Sequence, residues 1–295
     1  MKRWIVLFIL LLGSVPAVAQ PVQLEAVVTD LEGNRVSGLA AGDFRLLEEG
    51  DEVPVERVTE VADGTVGRSY LVFIDETLCL AVQRDLVLWE IERDLERLDP
   101  EDRMAVVAFD GVRLHRLADW TADREILTSA FAEARKRPAG KGVSSSAMDD
   151  AAEALRSFLP PPGRRTMLVL SGGWPAEPSL ELVRDANRLG YTLYPVDVPV
   201  LGREQVPEDM LQALADATGG RAALNANRLD ALERAEEDTR AYYLLSFSPS
   251  SQGDHRIELE IRRPGLDVRA REGVSDPLAA LAGSATESME QKTGE

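Results

Sequence analysis

Asp75, Glu76, Thr77 and Cys79 follow directly on the apolar run at residues 70–74, so two carboxylates, a hydroxyl and a thiol meet where a buried strand would pass into its loop. Oxygen donors of this kind suit a hard cation such as Mg²⁺, and a thiol near a helix N-terminus can act as a nucleophile. In an open α/β sheet ligands bind beyond the carboxyl ends of the strands, which makes Asp75 a binding-site candidate. Capping is the competing explanation. Residues 80–98 have the apolar spacing of a helix, and an Asp after a strand commonly caps the helix that follows. Two further stretches end in the same chemistry: Ser146 within 144–149, and Ser171-Gly172-Gly173-Trp174 after the apolar run 166–170. Trp174 is either an aromatic anchor on the rim or ordinary packing against a neighbouring helix.

Other chemistries are missing. His115 and His255 are the only histidines and lie in different segments, which excludes a His-rich metal site. His115 sits in a polar alternation and reads as an exposed strand residue rather than a catalytic base. Cys79, the single cysteine, has no evident His partner and reads as a small apolar residue, with a thiol-dependent enzyme as the remote alternative. The segment 140–146 lacks the first glycine of a phosphate loop, and Gly172-Gly173 lacks the third glycine of a dinucleotide fingerprint. A formal net charge of -18 argues against nucleic acid and anionic membrane surfaces as partners.

The elements that must position these loops follow from periodicity. Short apolar runs at 70–74, 104–109, 166–170 and 192–196 alternate with amphipathic stretches at 81–98, 123–137, 146–159, 179–189 and 208–218. Strands apolar throughout, separated by helices, imply an α/β domain with a doubly wound, mainly parallel sheet covered on both faces. Before it, 22–27, 43–48 and 53–58 have strand texture, and after a last helix near 227–240 strand texture returns at 242–247, 255–261 and 266–270. Neither flank has enough strands for its own core, so together they are expected to close a small β-sandwich into which the α/β domain is inserted. The N-terminus, with Lys2-Arg3, a short apolar stretch and Ala17-Val18-Ala19, reads as a signal peptide, placing the mature chain in the periplasm or outside the cell with no membrane insertion. The expected segments are a signal peptide 1–19, an N-terminal β segment 20–65, the α/β domain 66–240, a C-terminal β segment 241–275, and a polar, disordered tail 276–295.

The order of several short motifs resembles the von Willebrand factor type A domain, in the form found in secreted bacterial VWFA-related proteins. The pieces are Val36-Ser37-Gly38-Leu39 with Asp43-Phe44, the run 98–109 (LDPEDRMAVVAF), 163–170 (GRRTMLVL), Ala217-Thr218-Gly219-Gly220-Arg221, 243–249 (YLLSFSP) and 268–273 (VRAREG). The resemblance implies a non-enzymatic protein-interaction module. It also implies a metal-ion-dependent adhesion site built from an Asp-x-Ser-x-Ser loop, a Thr and a second Asp. Asp75 matches the first carboxylate and Thr77 the first Ser, whereas Cys79 replaces the second Ser, Ser146 the Thr, and Gly172 the second Asp. A thiol is a soft ligand ill suited to Mg²⁺, and loss of a carboxylate removes charge and an oxygen donor. The expectation is therefore a metal-independent module with no cofactor, binding a protein partner around Asp75, Glu76, Thr77, Ser146, Ser171 and Trp174. A residual Mg²⁺-dependent adhesion site and a purely structural scaffold are the alternatives.

Overall fold

A computed structural model describes residues 21–62, 66–140, 147–158, 161–172, 174, 179–198, 208–224, 229–251 and 253–275. The expected signal peptide and the tail from 276 lie outside these residues, as does Ser146. Among the described residues no helix is long and apolar enough to cross a membrane.

The α/β part contains β5 (Arg68–Asp75), β6 (Arg103–Phe109), β7 (Leu114–Thr121), β8 (Arg164–Ser171) and β9 (Tyr191–Asp197) in the order β7-β6-β5-β8-β9. β5 pairs in parallel with both β6 and β8, β8 pairs in parallel with β9, and β7 is an antiparallel edge. Helices cover both faces: α1 (Ala81–Arg93), α2 (Arg124–Lys136), α3 (Ala147–Ser157), α4 (Leu180–Leu189), α5 (Glu208–Asp216) and α6 (Ala231–Arg240). Alternate residues of β5 enter different cores. Tyr70, Val72 and Ile74 pack with residues of α1, α2 and α6, whereas Leu71 and Phe73 pack with residues of α3, α4 and α5. This two-sided burial is why β5 is apolar without alternation, and each such side chain contributes about 2 kcal/mol.

The flanks pair as a sandwich. β1 (Val22–Asp30) lies between β10 (Tyr242–Phe247) and β12 (Leu266–Ala270), with β4 (Arg57–Val61) outside β10. The second sheet has β11 (Asp254–Ile261) between β13 (Gly273–Ser275) and β2 (Phe44–Glu48), followed by β3 (Asp51–Val53). Leu24 and Ala26 from the N-terminal flank share one core with Leu245, Phe247 and Ile257 from the C-terminal flank. Phe44 meets Tyr243 edge-on at 5.7 Å, and the Tyr243 hydroxyl donates to the Val36 carbonyl.

Three local expectations need correction. The strand expected at 53–58 is broken: β3 stops at Val53, before Pro54, and β4 starts at Arg57. The helix expected to run to 98 ends at Arg93 and tightens into a 3-10 turn at Asp94–Arg97. α2 and α4 start one residue after the expected positions because Asp123 and Ser179 serve as their N-caps, with side chains accepting from Glu125 and Ile126 and from Leu182.

Candidate functional site

β5 runs through the middle of the sheet, and its last residue, Asp75, is fully buried with both carboxylate oxygens engaged. The Thr77 amide and hydroxyl donate to Oδ1 at 2.9 and 2.5 Å, and the Ser171 hydroxyl donates to Oδ2 at 2.6 Å. Ser171 ends β8, whose parallel pairing with β5 sets Ile74 beside Leu170 and so brings the two strand ends level. The capping alternative is excluded by this geometry. The N-cap of α1 is Leu80, which makes no side-chain cap, and Asp75 is spent on Thr77 and Ser171.

The loop after Asp75 is tied on three sides by backbone hydrogen bonds: Glu76 N to Phe109 O, Gly140 N to Glu76 O, and Gly172 N to Leu78 O. The Glu76 side chain turns inward and accepts from Arg137 Nε at 2.6 Å. Burial raises the Glu76 carboxyl above its ordinary range, and the hydrogen bond and charge of Arg137 oppose that rise. Arg84, almost fully buried on α1, donates to the carbonyls of Arg135 and Arg137 and so fixes the end of α2 that carries Arg137. The sequence offered no sign of Arg84 or Arg137 in this role. Arg137 shows in the sequence only as the last residue of the helix expected at 123–137.

The structure brings Asp75, Thr77 and Ser171 together, sets Glu76 beside them, and buries all four. They are braces of the loops, which corrects the expectation that their side chains themselves touch a partner. Trp174 is corrected likewise: it is 7% exposed and belongs to the core on the α3, α4 and α5 face, not to a rim. Val112, in the β6–β7 turn, is 87% exposed, and Val82 and Leu180 in the first turns of α1 and α4 are further exposed apolar residues among the described residues at this edge. Gly111, next to Val112 in sequence, approaches Thr77 so closely that a Cβ there would lie 3.0 Å from Thr77 Cγ2. Asp110 of this turn pairs with His115, the second residue of β7, at 2.5 Å.

Mg²⁺ takes about six oxygens in near-octahedral array. Here one carboxylate with both oxygens hydrogen-bonded, two hydroxyls and a thiol make the described donor set, and the described residues contain no group of three or more His, Cys, Asp or Glu side chains arranged to hold a metal. Ser146, the remaining residue of the adhesion site in the sequence resemblance, lies outside the described residues.

Cys79 is 2% exposed, and burial pushes its thiol up to about 12. A thiol so placed is protonated and inaccessible at neutral pH. Ellman's reagent is expected to leave Cys79 unmodified in the native chain at pH 8 and to react with one thiol per chain after urea unfolding. Rapid native labelling would contradict this burial.

No protein-family model matches the chain, and no curated protein matches it. Solved structures do. The chain is similar to the conserved hypothetical protein BatB from Bacteroides thetaiotaomicron, at 21% identity and a TM-score of 0.42, over 59% of this chain and 96% of that one. It is similar to manganese-loaded Plasmodium vivax TRAP protein, at 13% identity and 0.44, over 75% and 98%. A third is the SpRpn10 VWA domain, at 14% identity and 0.34, over 51% and 82%. The likeness is one of fold.

Proposed function

We propose that this chain is a non-enzymatic, extracytoplasmic protein-binding module that engages its partner with the loops at the carboxyl edge of the α/β sheet, without a metal ion. One observation carries the reading: the Asp75 carboxylate, at the position of the first adhesion-site carboxylate in the sequence resemblance, is occupied by the Thr77 and Ser171 hydroxyls. A carboxylate used in this way fixes loop shape, and a fixed loop presents a preorganised surface. The exposed Val112, next in sequence to the Gly111 that approaches Thr77, supplies an apolar contact point on that surface. The signal-peptide composition of residues 1–19 supports the extracytoplasmic setting.

Calorimetric titration of Mg²⁺ and Mn²⁺ into chelator-stripped protein is expected to show no saturable heat. Saturable binding that Asp75→Ala abolishes would instead establish a working metal site. Partner capture is expected to persist in EDTA with the natural chain and to be lost with Val112→Asp. Equal capture by that variant would move the contact away from these loops.

A further inference from the structure

A cavity of about 890 Å³ opens at the junction of the two domains, far in sequence from the loops around Asp75. Both domains contribute to its wall: Arg35 and Arg269 come from the sandwich, and Arg221 and Arg234 from the α/β part. Among its described lining residues five are arginines and three are carboxylates, in a chain whose net charge is -18. The concentration of guanidinium groups here therefore runs against the composition of the molecule.

Most of the internal charge is accounted for by one carboxylate. Asp238, 2% exposed, accepts from Arg269 at 2.8 and 2.9 Å, from Arg221 at 2.9 Å and from Tyr194 at 3.0 Å, and Arg35 reaches it at 3.4 Å. Three guanidinium groups share Asp238, and Glu237, 3.6 Å from Arg221, and Asp267 are the other lining carboxylates, so arginines outnumber carboxylates at the cavity wall. Arg234 is among them. Its guanidinium lines the cavity half-buried and makes no hydrogen bond or ion pair within 4.0 Å among the described residues. Burial, and then the charge of Arg221, push Arg234 below the ordinary arginine range, against the opposing charges of Asp238, Asp230 and Glu237.

We infer that this interdomain cavity binds a small polyanion bearing phosphate or carboxylate groups, with Arg234 as its principal ligand and Arg221, Arg269 and Arg35 supplying the surrounding positive field. A planar guanidinium fork pairs with either oxyanion in bidentate fashion, and the volume falls in the range of small-molecule sites while exceeding the needs of a single ion. Because the wall is drawn from both domains, occupancy stabilises their junction.

The test is calorimetric titration of sodium pyrophosphate, and separately of citrate, into the purified chain at low ionic strength. Saturable binding of at least one probe is expected, weakened about tenfold or more by Arg234→Gln and partly retained by Arg234→Lys. Near-UV circular dichroism should match the natural chain in both variants, because among the described residues the Arg234 side chain makes no hydrogen bond or ion pair. The melting temperature should rise with the bound probe in the natural chain and rise less in Arg234→Gln. Preference for pyrophosphate or for citrate names the phosphate or the carboxylate source. Absence of saturable binding by both probes up to about 10 mM, a concentration at which even weak specific sites fill, overturns the inference, as does equal binding by Arg234→Gln.

Discussion

An Asp238→Ala chain is expected to lose about 3–5 kcal/mol of stability, the range for removing one partner of a buried ion cluster. Asp238 stands at the end of α6, where the sandwich meets the α/β domain, and it holds Arg269 of β12 against Arg221 and Tyr194 of the α/β part. Its removal leaves those guanidinium groups facing one another without the carboxylate between them. The adjacent carboxylate, Glu237, is exposed and reaches only Arg221, at 3.6 Å, so it does not take the place of Asp238 between Arg221, Arg269 and Arg35. Urea unfolding followed by tryptophan fluorescence measures the loss, and a change under about 1 kcal/mol would show that the cluster is not what clamps the domains.

The same group sets an acid limit. Burial alone raises the Asp238 carboxyl, but the hydrogen bonds and charge of Arg269, with the charges of Arg221 and Arg35, overcome it and hold the carboxyl at about 2. A carboxylate whose folded value lies below its unfolded value contributes stability above the unfolded value, near 3.9, and loses it as pH falls toward the folded one. The contribution, about 2 kcal/mol, is expected to be present at pH 5 and to fade between about pH 4 and pH 2. Asp238→Asn should flatten that part of the stability profile.

How far the fold can be read from sequence depends on how local the deciding physics is. β5, β6, β8 and β9 show as unbroken apolar runs because both their faces are covered, and helix limits at Asp123 and Ser179 follow from side chains bonding to amides two or three residues away. The pairing of the two flanks could be inferred because each alone has too few strands to bury its apolar face. The site was legible as a location but not as a geometry. Asp75 and Thr77 are near neighbours, yet whether Asp75 caps a helix or braces a loop is decided by Ser171, 96 residues later, and by strand register. Trp174 beside a proline gives no local sign of which way its ring turns, and the structure puts it in the core. The Asp238 cluster joins Arg35, Arg221 and Arg269 across up to 203 residues, with no spacing or motif to announce it.

Gly220→Ala is expected to be among the most damaging single methyls added at the described glycines, with Gly163 the other position where a Cβ would meet backbone at 1.9 Å. In the resembling motif Ala217-Thr218-Gly219-Gly220-Arg221, the segment passes between β9 and the sandwich. Thr218 Oγ1 accepts from the Leu193 amide at 2.9 Å, Glu272 N donates to Ala217 O, and Ala223 N donates to Pro195 O. These bonds press Gly220 onto β9 so closely that a Cβ would lie 1.9 Å from Leu193 O and 3.0 Å from Leu193 C. The obstacle is the backbone of a buried strand, which cannot rotate away like a flexible side chain. Relief requires moving β9 or breaking the Thr218 contact. Moving the segment the other way is also blocked, because Gly219, at φ +78°, already sits where a Cβ would be 2.9 Å from Ala270 C. A cost of about 3 kcal/mol or more follows, in the class of overpacked core positions. Gly42→Ala is the matched control: nothing lies within 4 Å of its Cβ position and its φ is outside the left-handed region, so its effect should stay within about 0.5 kcal/mol. Urea midpoints for the two variants should therefore separate widely. Similar midpoints would mean that β9 and the Gly219-Gly220 turn are free to part, and the close packing of the turn between sheet and sandwich would have to be abandoned.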